Sequence, residues 1–483
     1  MSTKQTLFTN AIVYTVDPKD TILTNAAVLV EGSRIAAIGP SEQLRNQYPQ
    51  AEIVDVTDRA ILPGFVNTHI HLSMTMTRSI ADDIEAAKWL PVVWAMESNL
   101  KPETVYAGAV LGIAEMIASG TTTFNDHYFM MDEVARAVQE TGIRADLAFA
   151  ILENRNKKKG EKDLATGEAF AAEWNGKAEG RIRTRMGPHA LYTCSTELVQ
   201  AARAAADRVG VGMHMHVAES AFEMTLVGKK AAGPTSIQHL AALDILRSDF
   251  VIAHGLNADA RDIEILAELG VGIAHCPQAY AHIGGWPWPH IDEWAAAGVA
   301  VGLATDGTAS NNNLDMFDEM RLATEVRKLQ ARDGTLLPAR QMLRMATIEG
   351  AKVLGLQDEI GSIEVGKKAD LIFINTRQPH LRPLHNLPSH LVYSARGADV
   401  ESVMVDGNFL YKDRQHLTLD VNAAMERADR EFAAMLGRGG WSVTMQEPKA
   451  GLAAALKLGV TQQALSVMQV LVGSEQASED TIL

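Results

Sequence analysis

The run Thr68-His69-Ile70-His71 directly follows the apolar stretch Ala60-Ile61-Leu62-Pro63-Gly64-Phe65-Val66. In a β-strand alternate side chains share a face, so His69 and His71 would present two imidazoles side by side at the strand's end. Two neutral ring nitrogens make half of a metal site when other strands supply the rest. Alone, such a pair is more commonly two ordinary hydrogen-bonded histidines. Partners follow at intervals along the chain. Residues 211–219 read as a strand ending in His216, with Glu219 three residues on. Residues 250–255 repeat the form with His254, and 299–307 repeat it with Asp306.

Each of these polar residues closes a run of apolar or small side chains, the composition of a parallel strand buried on both faces. Helical segments lie between them, such as 196–209 and 259–269. Strand, exit loop and helix in repetition predict an α/β fold, a (β/α)8 TIM-like barrel, whose chemistry collects at the carboxyl ends of the strands. Short β-rich runs at 11–16, 27–30 and 34–39 precede the barrel, and others at 370–374 and 403–411 follow it. The two groups are expected to pair into one small discontinuous β-sandwich. The expected division is 1–60 with 362–419 as the sandwich, 61–361 as the barrel, and 420–483 as a helical extension ending in a polar tail. Within that extension, 420–436 reads as an amphipathic helix capped by Asp420, and 450–471 as one or two more. The basic run from Lys157 to Lys162 reads as a solvated loop.

The chain has 483 residues, 47% of them apolar, enough for one barrel of about 250 to 300 residues and a smaller unit. With 44 basic against 59 acidic side chains the net charge is -15, which argues against a nucleic-acid partner or an anionic membrane surface. Residues 1–10 lack the basic start and apolar core of a signal peptide, and no apolar run reaches about 18 residues, so a cytoplasmic location is expected. Two cysteines, Cys194 and Cys276, are too few for a disulfide framework.

The segment from Pro63 to His71, taken with the later His, His and Asp, resembles the amidohydrolase superfamily. Gly361-Ser362-Ile363-Glu364-Val365-Gly366-Lys367-Lys368-Ala369-Asp370-Leu371 looks like the stretch by which such enzymes re-enter their sandwich. Within the superfamily the chain is similar to the branch holding S-adenosylhomocysteine/5′-methylthioadenosine deaminases and s-triazine hydrolases. Gly120-Thr121-Thr122-Thr123, Gly187-Pro188-His189 and Asp306-Gly307-Thr308-Ala309-Ser310-Asn311-Asn312 carry that closer match. The resemblance implies that His69, His71, His216 and Asp306 bind one divalent metal ion, zinc in the first place, with Fe2+ or Mn2+ as the other candidates. It further implies that His254 contacts the attacking water, that Glu219 moves protons, and that His189 and Glu97 touch a small heterocyclic substrate. Relatives of this kind often associate through the barrel face, so a homo-oligomer is expected.

A divalent ion held by three imidazoles and a carboxylate lowers the pKa of a water toward about 7. Glu219 would then protonate a ring nitrogen beside the attacked carbon and help ammonia leave, since amide ion is too poor a leaving group. Deamination of a purine-type ring is therefore expected. The alternative is displacement of chloride or an alkylamine from an s-triazine, and a non-catalytic scaffold is a third reading that eroded ligands would have favoured. One ion is expected because two-metal relatives bridge theirs with a lysine on the fourth strand, and the matching run Arg183-Thr184-Arg185-Met186-Gly187-Pro188 has none. His189 remains an alternative ligand. After the seventh strand, adenosine-type deaminases have an Asn-Pro-x-Ser-Asn run where this chain reads His275-Cys276-Pro277-Gln278-Ala279-Tyr280, a departure that weighs against a nucleoside. Trp286 would offer a flat ring an aromatic face if its loop folds inward, and Trp89 reads either as a second such face or as packing.

Overall fold

A computed structural model of the chain describes residues 4–441. Eight parallel strands form one sheet in chain order. They are β1 (Phe65–Ile70), β2 (Thr121–Tyr128), β3 (Arg144–Ile151), β4 (Ile182–Pro188), β5 (Gly212–Val217), β6 (Phe250–His254), β7 (Gly272–His275) and β8 (Val301–Leu303). The ring closes between its first and last members: the Asp306 amide donates to the His69 carbonyl at 3.1 Å and the Thr68 hydroxyl to the Leu303 carbonyl at 3.0 Å. Every residue of β1, β2, β6, β7 and β8 is buried, as expected when helices cover one face of a parallel sheet and barrel side chains fill the other. The expected helices are present. Thr196–Val209 starts where the Ser195 hydroxyl accepts the Leu198 amide, and Ala260–Leu269 starts with a reciprocal cap between Asp259 and Asp262.

The two ends of the chain build a separate nine-stranded mixed sheet. Gln5–Tyr14 lies against Ile22–Glu31 on one side and against Glu52–Asp55 and Arg59–Pro63 on the other. Arg59–Pro63 pairs antiparallel with Leu371–Asn375, so the join between the two ends is a backbone ladder. The rings of Phe8, Phe373 and Phe409 meet with centroids 5.0 to 5.9 Å apart, which gathers strands from both termini onto one core. The apolar run before His69 is two strands and not one. Arg59–Pro63 belongs to the outer sheet and Phe65–Ile70 to the barrel, and the chain changes sheets at Gly64, where a Cβ would stand 2.1 Å from the Thr122 hydroxyl.

The basic run is also different from its reading as a loop. Lys157 opens the helix Lys157–Trp174, because Asn156 caps the Lys159 amide and because Lys159 pairs with Asp163 one turn on. Val421–Gly439 is a helix capped by Asp420, as expected, and its Arg438 holds the Asn99 carbonyl at 2.9 Å. The expected helices at 450–471 and the polar tail lie outside the described residues. Among the described residues no helix is long and apolar enough to cross a membrane.

Arg144, at the first position of β3, fastens the barrel to the outer sheet. Its buried guanidinium donates to both Asp370 oxygens at 2.9 and 3.2 Å and to Asp406 at 3.0 Å, while the Asp406 amide closes back onto Asp370 at 2.8 Å. Removing the cation leaves two carboxylates buried with only Lys368 nearby. Arg144→Ala is therefore expected to lower unfolding free energy by about 3–5 kcal/mol, read from denaturant midpoints. A loss under about 1 kcal/mol would show that the junction does not depend on this pair.

Candidate active site and metal centre

His69, His71, His216, His254 and Asp306 come from the ends of β1, β5, β6 and β8 into two overlapping groups, His69 with His71 and His216 and His69 with His254 and Asp306, the ligand atoms of each lying within 4.8 Å of one another. The Nε2 atoms of His69 and His71 lie 3.5 and 3.4 Å from Asp306 Oδ1, and those of His71 and His216 are 3.3 Å apart. The tautomers follow from the other ring nitrogens. His71 Nδ1 donates to the His127 carbonyl at 2.6 Å and His216 Nδ1 to the His189 carbonyl at 3.0 Å; a carbonyl only accepts, so in the neutral form of either ring the lone pair is on Nε2. His69 Nε2 is buried with no hydrogen-bond partner. Burial, with the neighbouring imidazoles, pulls His69 and His216 well below the ordinary histidine range, so they stay neutral. Two ligand atoms about 2.1 Å from a shared ion at a tetrahedral angle stand about 3.4 Å apart, as the His69–Asp306, His71–Asp306 and His71–His216 pairs do, so these pairs suit a small divalent cation.

Three residues at the strand exits hold left-handed backbone: Ala218 at φ 55°, His254 at 75° and Asp306 at 59°. Such strain persists where surrounding bonds over-determine it. At Asp306 the amide is tied to His69, while its carboxylate accepts the Gly307 amide at 2.8 Å and the Ser310 hydroxyl at 2.9 Å. A Cβ at Gly307 would lie 2.2 Å from the Met74 sulfur, so a side chain there would have to displace Met74. At Ala218 the buried Glu223 carboxylate accepts the amides of Ala218 and Glu219 at 3.2 and 3.1 Å, which turns the chain so that Glu219 faces back over the cluster.

Glu219 receives the Tyr192 hydroxyl at 2.9 Å and lies 4.0 Å from His254 Nε2. Burial pushes its carboxyl up to about 8, against the opposing Tyr192 bond and with the help of Glu223 and Asp306. His254 is pulled down to about 4 by burial, which outweighs Asp306. A proton-bearing carboxyl thus sits beside a neutral imidazole.

A cavity opens above the cluster and takes in the remaining expected residues. His189, Glu97, Trp89 and Trp286 all line it. His189 uses Nδ1 on the Thr193 hydroxyl at 3.0 Å and falls outside both groups of converging ligand atoms. Glu97 accepts the Tyr128 hydroxyl at 2.6 Å, and burial pushes it up to about 7. The Trp286 ring folds inward, 5.4 Å from His254, and Trp89 donates its indole N–H to the Ala309 carbonyl at 2.8 Å while lining the same space. In the segment that departs from the deaminase pattern, Tyr280 takes the Cys276 amide on its hydroxyl at 2.9 Å and lays its ring 5.8 Å from both His254 and Trp286. An aromatic wall stands there.

A sequence profile of the amidohydrolase family matches residues 60–410, most of the chain and every residue of the cluster. The chain belongs to the amidohydrolase family. A bacterial imidazolonepropionase-like composite domain also matches residues 26–51, within the outer sheet. The chain is 41% identical over 430 residues to a 5′-deoxyadenosine deaminase of Methanosarcina mazei, covering 89% of this chain and 98% of that one. It is 40% identical to a 5-methylthioadenosine/S-adenosylhomocysteine deaminase of Pelotomaculum thermopropionicum, over 89% of this chain and 99% of the other. Among solved structures, an adenosine deaminase from Xanthomonas campestris with bound zinc superposes with a TM-score of 0.84 at 31% identity, covering 90% of this chain and 99% of that one. A zinc-complexed atrazine chlorohydrolase from Arthrobacter aurescens has the same fold, with a TM-score of 0.80 at 23% identity over 88% of this chain and 100% of that one. The protein is a metal-dependent hydrolase of this family.

Five further residues of this amidohydrolase site escaped the sequence reading. His214 backs His69 through a 2.9 Å contact with its Nδ1, and His127 supplies the carbonyl that orients His71. The signal for His214 was available, since His214-Met215-His216 repeats the spacing of His69 and His71. Tyr128, Tyr192 and Glu223 carried no such signal, because each acts by reaching another side chain or a turn. Glu223→Ala is expected to lower kcat at least about tenfold with metal content unchanged, and Glu223→Gln to recover part of the loss by keeping one acceptor. Full kcat in Glu223→Ala would show that the turn holds Glu219 without it.

Proposed function

We propose that the protein deaminates adenosine-type compounds, with His69, His71, His216 and Asp306 holding one ion, zinc in the first place. What carries the reading is the buried Glu219 carboxyl, held by Tyr192 beside His254, at the rim of a donor set fit for a cation. The relatives named as 5′-deoxyadenosine and 5-methylthioadenosine/S-adenosylhomocysteine deaminases support the substrate class.

When bound, the ion supplies Lewis-acid activation of water at neutral pH. The protein's side chains do the rest. Asp306 and His254 accept hydrogen bonds from the attacking water and aim it at the amino-bearing carbon. As the C–O bond forms, the electron pair of the ring C=N moves to nitrogen, and Glu219 delivers its proton there. The carboxylate so formed takes a proton from the added water and passes it to the exocyclic nitrogen. The C–N bond breaks and ammonia leaves with the electron pair, while the remaining hydroxyl gives its proton back to Glu219 and the ring carbon becomes a carbonyl. His189 and Glu97 hold the substrate, and the rings of Trp89 and Trp286 exclude bulk water around it.

Metal analysis of the purified protein is expected to return one transition-metal ion per chain, and chelation to abolish ammonia release. Two ions per chain would overturn the single-ion assignment. Glu219→Gln is expected to keep the metal and lose at least about a hundredfold in turnover, a loss that near-normal ammonia release would contradict. An ammonia-release screen over adenosine-type nucleosides, free purines, pterins and triazines tests the substrate class. Turnover of triazines alone would replace it with the hydrolase reading that the shared fold also permits.

A further inference from the structure

The cavity lining separates the compounds that the relatives' names join. Three carboxyl groups face it, Glu97, Glu219 and Asp306, together with His71, His127, His189, His216 and His254. Among the described residues no lysine or arginine lines it. Much of the rest of its wall is apolar, including Leu90 and Trp94 from the helix Ala86–Glu97, Phe129 beyond β2 and Leu152 beyond β3, and the hydroxyls of its two tyrosines are given to Glu97 and Glu219. Lys159, the cation next to this wall, is committed elsewhere. Its ammonium donates to the Leu152 carbonyl at 2.8 Å and pairs with Asp163, whose carboxylate also takes the Leu152 amide at 3.3 Å. Both bonds reach the backbone of Leu152, so Lys159 holds the wall from behind.

On the adenosine-type reading, we propose that the site selects substrates whose 5′ substituent is uncharged and apolar, such as 5′-deoxy or 5′-methylthio, and rejects those ending in a carboxylate or phosphate. The group at the 5′ position projects away from the ring under attack. Leu90, Trp94, Phe129 and Leu152, which have no proton-transfer or ligand role, form an apolar face of the lining that can receive it. An aliphatic or thioether group loses nothing by leaving water for such a surface and gains contact with indole and leucine carbons. A phosphate, or the zwitterionic end of S-adenosylhomocysteine, would give up its hydration for a wall that, among the described residues, has no lysine or arginine to pair its anionic group. Selectivity of this kind is large because the penalty falls on an unpaired buried charge and not on a missing methylene.

The test compares kcat/KM of the metal-loaded enzyme for 5′-deoxyadenosine, 5′-methylthioadenosine, S-adenosylhomocysteine and adenosine 5′-monophosphate. The first two are expected to exceed the last two at least about a hundredfold. S-adenosylhomocysteine within about tenfold of 5′-methylthioadenosine would overturn the inference and leave the deaminase reading standing. Failure of all four alongside turnover of another heterocycle would overturn both. Leu152→Arg supplies a cation at the wall and is expected to shift the ratio of S-adenosylhomocysteine to 5′-methylthioadenosine upward at least about tenfold, with Phe129→Arg as the substitute if the first variant fails to fold. An unchanged ratio in a folded variant would show that this wall does not meet the substituent.

Discussion

Three imidazole lone pairs and a carboxylate converge where water cannot screen them, and the rest of the site answers to that crowding. The facing Nε2 atoms of His71 and His216, at 3.3 Å, cannot hydrogen-bond to each other, because each ring has its hydrogen on the opposite nitrogen, donated to a carbonyl. Facing lone pairs of this kind suit a cation placed between them. The carbonyls of His127 and His189 therefore matter as much as the donor atoms. They turn each ring so that the free lone pair faces inward.

The same economy of backbone explains the strain at the strand exits. A parallel strand that simply continued would carry Glu219, His254 and Asp306 past the centre. Left-handed residues at 218, 254 and 306 fold those exits over it instead, and each is held by specific bonds: Glu223 at the first, the barrel ladder at the second, and His69, Gly307 and Ser310 at the third. Rigid strands position the histidine donors, and strained turns position Glu219, His254 and Asp306. The cavity roof then completes the enclosure. Its tryptophans and leucines remove bulk water from the space in which Glu219 retains a proton.

Much of this could be read along the chain because the barrel writes its chemistry at regular intervals. A buried strand must be apolar, so a histidine or aspartate at its end stands out against the run before it, as His216, His254 and Asp306 do. The helix start at Asp420 was legible for a comparable reason: capping is a local bond between a side chain and an amide three residues on. The run from Ala60 to Val66 was harder. Its apolar pattern is continuous, yet Gly64 divides it between two sheets, and only the approach of Thr122 shows why glycine stands there. The lysine run failed for the opposite reason. Charge suggested a loop, while the Asn156 cap and the Lys159–Asp163 pair made it a helix start.

What the amino-acid order determined by itself is local: strand-end donors, capped helices, the absence of a fourth-strand lysine, and two terminal groups of strands that had to find each other. What only the folded chain decided is the meeting of distant groups. Tyr192 against Glu219, Tyr128 against Glu97, Arg144 against Asp370 and Asp406, and the inward turn of Trp286 join residues from 27 to 262 positions apart. No periodicity encodes such pairs. Each depends on barrel closure bringing the exits of separate strands within hydrogen-bond reach, which is a property of the ring and not of any segment in it.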